Sequence, residues 1–86
     1  MKIGVAGTLE SNDALITVSE SDTLEIHIES IVYEFFKDDI EKVIKDTLKQ
    51  MHIEKIKVEI KDKGALDYTI KARLITAIKR MVKNNA

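Results

Sequence analysis

An 86-residue chain that is 44% hydrophobic and 34% charged, with a net charge of −1, has room for one domain and one small core. The balanced charge argues against nucleic-acid binding, no apolar run approaches the ~20 residues of a membrane span, and the N-terminus lacks a charged-then-apolar leader pattern, so a cytoplasmic location is expected. With no cysteine, the chain forms no disulfide or thiolate metal site and has no thiol of its own for a thioester.

Ile3, Val5 and Leu9 suggest a short first strand, weakened by Gly4 and Gly7, and Glu10 to Asp13 read as a turn. Ala14, Ile16 and Val18 alternate with Leu15 and Thr17 in a second strand with both faces partly apolar, which ends in a turn at Ser19–Asp22. Leu24, Ile26 and Ile28 alternate with Glu25, His27 and Glu29, the pattern of a strand with one buried and one wet face. From about Val32 the period lengthens. Val32, Phe36, Ile40, Val43, Ile44, Leu48 and Met51 line one side of a helix, on which Asp38–Lys42 and Glu41–Lys45 are expected i, i+4 pairs.

Ile56, Val58 and Ile60 mark another one-sided strand, ended by Asp62-Lys63-Gly64. A final helix is expected from about Ala65 to Val82, with Leu66, Ile70, Leu74, Ala77, Ile78 and Met81 on its buried face and Lys79, Arg80 and Lys83 at the negative end of its dipole. Asn84 to Ala86 are expected to fray. The connection from residue 30 to 55 is long enough for a right-handed parallel crossover, whereas the earlier turns favour antiparallel hairpins. The expected fold is therefore α+β: a two-layer sandwich in the order β-β-β-α-β-α, with a small mixed sheet and both helices on one face.

Residues 1–30 carry six acids and one base, a balance of −5, while residues 31–86 balance at +4. The acidic end, including Glu10 and Asp13, is either a docking surface for a basic partner or a solvated strand face and turn. Glu10 to Asp13 are four consecutive polar residues between apolar patterns. The turn from Glu10 to Asn12 is expected to be exposed and mobile, with Ser11 making no lasting contact with the core.

Thr8, Leu9, Glu10, Ser11 and Asp13 stand as they do in the acyl carrier (gamma) subunits of citrate lyase, and the stretch resembles their prosthetic-group site. A second stretch, Asp62-Lys63-Gly64-Ala65-Leu66-Asp67, is similar to the same family, and Ile70, Ala72 and Arg73 extend the likeness. Tyr68 departs from it, standing where many members have cysteine. Read alone, Ser11 is an ordinary turn serine. The resemblance implies instead that Ser11 is joined through a phosphodiester to phosphoribosyl-dephospho-coenzyme A, whose arm brings the missing thiol. It implies as partners a prosthetic-group transferase, an alpha subunit that exchanges acetyl for citryl on that thiol, and a beta subunit that cleaves the citryl thioester. The carrier itself breaks no bond. Citramalate lyase and malonate decarboxylase use similarly modified carriers and are the nearest alternatives; a small interaction module is the alternative of a different class.

Other polar residues offer weaker chemistry. His27 lies on a polar strand face and His52 in a connection, with no spacing that suggests a shared metal or general-base site. Asp38 and Asp39 point about 100° apart on a helix and suit its positive end, so no catalytic role is assigned to them. Asp62, Lys63, Gly64 and Asp67 form either a docking or modification surface or a plain strand-to-helix connection. Tyr33, Phe35 and Phe36 read as core and flank of the first helix.

Overall fold

The computed structural model describes residues 2–31 and 33–83, with the backbone alone for residues 33–36. The expected packing of Val32, Tyr33, Phe35 and Phe36 and the fraying of Asn84–Ala86 lie outside the described residues and side chains. The elements are β1 (Ile3–Ala6), β2 (Ala14–Ser19), β3 (Leu24–Ser30), α1 (Tyr33–Gln50), β4 (Ile56–Asp62) and α2 (Asp67–Lys83). They form the expected α+β sandwich around one four-stranded mixed sheet.

The sheet order is β1-β2-β4-β3. β1 pairs antiparallel with β2, β2 antiparallel with β4 from Ala14 opposite Asp62 to Ser19 opposite Lys57, and β3 parallel with β4. The crossover through α1 therefore joins parallel neighbours, as expected. The short turn between β2 and β3 does not make a hairpin, because β4 lies between these strands. β4 buries Ile56, Val58 and Ile60 almost completely. These three residues lie in one cluster with apolar side chains of both helices, which cover that face of the sheet. β3 is left at the margin, so Ile26 and Ile28 are half-buried and Leu24 is 44% exposed, short of the clean inside face that its alternation suggests.

The core is a single cluster in which Ala14, Ile16 and Val18 of β2 and the three β4 residues meet Ile40, Ile44 and Leu48 of α1 and Ile70, Leu74, Ala77 and Ile78 of α2. α2 lies over β1 and β2, α1 over β3, and the helices touch each other. β1 can approach α2 because residue 4 has no side chain: a Cβ there would meet the Ala77 carbonyl and the Met81 N–H. β1 stops at Ala6, so Leu9 is a 53% exposed loop residue. Leu66 is likewise 59% exposed, because α2 starts one residue later. Its carbonyl accepts the first helical N–H groups, from Thr69 and Ile70 at 3.0 and 3.1 Å.

On α1, Lys42 pairs with Asp46 at 2.8 Å rather than with Asp38, while Lys45 takes Glu41 at 3.5 Å as expected. The helix closes on His52, whose φ of 58° is left-handed. The His52 N–H donates to Lys49 O at 3.1 Å and the Ile53 N–H to Leu48 O at 2.9 Å. These are the two bonds of a Schellman cap, and Ile53 packs against the core beside it.

Candidate functional site

Antiparallel pairing of β2 with β4 and parallel pairing of β4 with β3 bring the start of β2 and the ends of β1, β3 and β4 to one end of the sheet. The first residues of both helices follow there in the chain, so the polar turn at 10–13 and the 62–67 connection become neighbours. The Asn12 N–H donates to Lys63 O at 2.8 Å and the Lys63 N–H to Asp13 O at 2.9 Å, which continues the β2–β4 ladder past the strand ends. The two stretches that carry the family resemblance are thus one surface.

Ser11 sits at the first corner of a tight turn in which the Asp13 N–H donates to Glu10 O at 3.1 Å. Asn12, at the second corner, has φ 65°. A positive φ at that corner is what a type II turn requires, and asparagine tolerates it better than most residues. Ser11 is exposed, and among the described residues no hydrogen bond engages its hydroxyl. That part of the sequence expectation holds. Asn12 is exposed too, and its N–H is held by Lys63 O; amide exchange reads the mobility expected of Glu10 to Asn12.

Asp13 is the fixing point. Its Oδ1 accepts from the Ala14 N–H at 2.7 Å and Arg73 Nε at 3.0 Å, and its Oδ2 accepts from Thr8 Oγ1 at 2.8 Å and Arg73 Nη2 at 3.0 Å. Two donors on each oxygen saturate the carboxylate, and the guanidinium grips it with two prongs. The Thr8 hydroxyl also accepts the Glu10 N–H at 3.2 Å, closing the near side of the turn. Arg73 above all, then the Ala14 N–H and the Thr8 hydroxyl, lower the Asp13 carboxyl from 3.8 to about 2.

Because this folded pKa lies below the unfolded one, the resulting stability is complete above about pH 4 and is lost as pH falls towards 2. Asp13→Asn is therefore expected to unfold more easily than wild type at about pH 5. The difference should be about 1–2 kcal/mol, allowing for solvent around the Arg73 side chain, which is 41% exposed. The gap should narrow towards about pH 2. Urea midpoints at the two pH values check this; an equal gap at both would contradict it.

Asp62 is 2% exposed, with Oδ2 accepting from Ser30 Oγ at 2.8 Å and Oδ1 from the Ala65 N–H at 2.9 Å. It shapes the connection from within. The side chains of Asp13 and Asp62, expected as docking groups, thus face the protein, whereas Glu10 and Asp67 are exposed and Lys63 and Gly64 half-buried. An open groove of about 560 Å³ runs between α1 and this connection, lined by Asp39, Ile40, Asp62, Leu66, Asp67 and Tyr68 among others.

The other candidates lie apart from this surface. Exposed His27 is on β3, with Nε2 3.7 Å from Glu25, and His52 caps α1. Among the described residues no cluster of His, Asp and Glu is arranged to hold a metal ion. No helix among them is long and apolar enough to cross a membrane. Sequence reasoning missed the roles of Thr8, Ser30 and Arg73. Arg73 is 60 positions from Asp13, and no local pattern links the two.

The family model described as the malonate decarboxylase delta subunit matches residues 1–81. The citrate lyase acyl carrier protein of Streptococcus mutans serotype c is 50% identical over 78 residues, 88% of this chain and 76% of that one. That of Albidiferax ferrireducens is 48% identical over 84 residues, 95% of this chain and 86% of its own. In the crystal structure of a Pseudomonas malonate decarboxylase hetero-tetramer in complex with malonate, one chain superposes with a TM-score of 0.81, covering 93% of this chain and 84% of that one. At 15% identity that likeness shows the fold. The match along nearly the whole length, together with the curated relatives, makes this chain a member of the acyl carrier family that contains citrate lyase carriers and malonate decarboxylase delta subunits.

Proposed function

We propose that the chain is the acyl carrier subunit of citrate lyase, a non-catalytic cytoplasmic subunit with phosphoribosyl-dephospho-coenzyme A attached through a phosphodiester to Ser11. The observation that carries this is the Ser11 hydroxyl, exposed and bonded to none of the described residues, at the corner of a turn held from both sides. The residues fit the group: an arm leaving this corner meets open solvent, and its phosphate has no carboxylate free beside it on Asp13, which Arg73 neutralises. When attached, the arm supplies the thiol on which acyl groups are carried as thioesters, chemistry the cysteine-free chain cannot perform.

The protein's own task is presentation. A short tether keeps the reactive end near its partners at an effective concentration around millimolar, provided the anchor does not bury it. In this reading Glu10, Lys63 and Asp67 contact the transferase and the alpha and beta subunits, while Asp13 and Asp62 support that surface from behind. His27 and His52 have no part in the chemistry.

A second reading, the carrier of malonate decarboxylase, is favoured by the family description and by the fold match to a chain of that assembly. Reconstitution separates the two. The loaded chain is expected to restore citrate cleavage to carrier-depleted citrate lyase and to leave carrier-depleted malonate decarboxylase below about 1% of its rate, since cognate docking discriminates by several kcal/mol. Restoration of the decarboxylase alone would transfer the assignment to that complex.

A further inference from the structure

The bonds around Ser11 restrain both arms of its turn and lead back to one residue of α2. On the far side of Ser11, the Asn12 N–H is held by Lys63 O and the Asp13 carboxylate by the two prongs of Arg73. On the near side, the Thr8 hydroxyl accepts from the Glu10 N–H and donates to Asp13 Oδ2. The Ser11 hydroxyl between them bonds to no described residue. An anchor meant merely to be reachable needs none of this, because exposure alone would serve.

We propose that Arg73 and Asp13, with Thr8, are positioning residues for loading: they hold the turn in the one shape in which the modifying enzyme accepts Ser11, so that it recognises a folded turn rather than a flexible peptide. The proposal rests on Ser11 being the attachment site. In the loading step a bond forms from Ser11 Oγ to phosphorus of an arm donor activated as a phosphoanhydride. The anhydride P–O bond breaks, the phosphate side leaves with its electron pair, and the hydroxyl proton passes to a base on the modifying enzyme. None of the three positioning residues takes part in that exchange of bonds; the Asp13 carboxylate is saturated and is not the base.

Their contribution is to population. If the turn spends only a fraction of its time in the accepted shape, the apparent loading efficiency falls by that fraction. Releasing one or two residues from a single backbone well lowers the fraction about 10- to 100-fold. Arg73 is suited to this because its fork fixes the carboxylate in direction as well as distance, which a lysine ammonium does not.

The experiment follows loading by intact mass, using purified transferase with the activated arm donor, on the full chain and on Arg73→Gln, Arg73→Lys and Thr8→Val. Amide exchange is recorded for the same samples. The expected result is that Arg73→Gln loads about 10- to 100-fold less efficiently. Its Asn12 amide should lose protection while those of Ile26 and Val58 keep theirs, and Arg73→Lys should recover part of the loss. Thr8→Val removes only an exposed hydroxyl and carries the test if Arg73→Gln does not fold; it is expected to load more slowly with an unchanged core. Wild-type loading efficiency in these folded variants, or a loss matching the unfolded fraction seen at Ile26 and Val58, would overturn the positioning role alone. A wild-type chain loaded at another residue would overturn both this role and the assignment of Ser11.

Discussion

Ser11→Ala is expected to give a folded protein that never gains the arm. The hydroxyl is exposed and bonds to no described residue, and alanine suits the first corner of this turn, so stability should stay within about 0.5 kcal/mol of wild type. Function should respond in the opposite way. Without the hydroxyl the phosphodiester cannot form at residue 11, and the chain has no cysteine to stand in for the thiol that the arm would bring. Lyase reconstituted with this variant should fall below about 1% of the wild-type rate, because free thiol in solution does not approach the tethered concentration. Intact mass and citrate-cleavage assays on the same preparation read both quantities; turnover above that level in a protein without added mass would count against the carrier role.

Gly7→Ala should act almost wholly through stability. Gly7 has φ 97°, a region where a side chain is strained, and a Cβ there would overlap the Ala14 carbonyl. That carbonyl belongs to the first residue of β2, which is fully buried. Relief would require β2 to move away from the loop or the 7–13 segment to refold. Left-handed strain of about 1–2 kcal/mol and a backbone collision costing about 1–3 kcal/mol sum to roughly 2–5 kcal/mol. For a domain this small that is a large share of a total near 5–10 kcal/mol. The urea midpoint should drop accordingly with little change in slope. A midpoint near that of wild type would mean that the loop before Ser11 is far less constrained than its geometry indicates.

The elements of the fold are legible in the chain because each has a single dominant period. The two-residue alternation of β4 and the three-to-four spacing of α2 both arise from one face packing on the same core. Strand order is not legible in that way. Ser19–Asp22 has the composition of a hairpin turn, yet β4 lies between β2 and β3. Leu66 shows a smaller loss of the same kind. It keeps the spacing of the α2 stripe, yet it precedes the helix and faces solvent.

At the candidate site, Ser11 and the 62–67 stretch stand out in the sequence only through resemblance to a family, and neither stretch alone foretells their contact. Asp62 looks like an ordinary turn aspartate, because its burial depends on Ser30 and Ala65 meeting it in space. The Arg73–Asp13 pair spans 60 positions. Sequence patterns report neighbours within an element, and this ion pair joins a helix to a loop through the fold itself.

A group covalently held at Ser11 is read most plainly from the site of added mass. The protein should be made in cells that also make the prosthetic group, then digested and sequenced by tandem mass spectrometry. One adduct is expected, with the mass of the phosphoribosyl-dephospho-coenzyme A arm joined by a phosphodiester, on the tryptic peptide of residues 3–37 and assigned to Ser11 rather than Thr8. An adduct on another residue, or a chain of unmodified mass from a host shown to load another carrier of this family, would contradict the account.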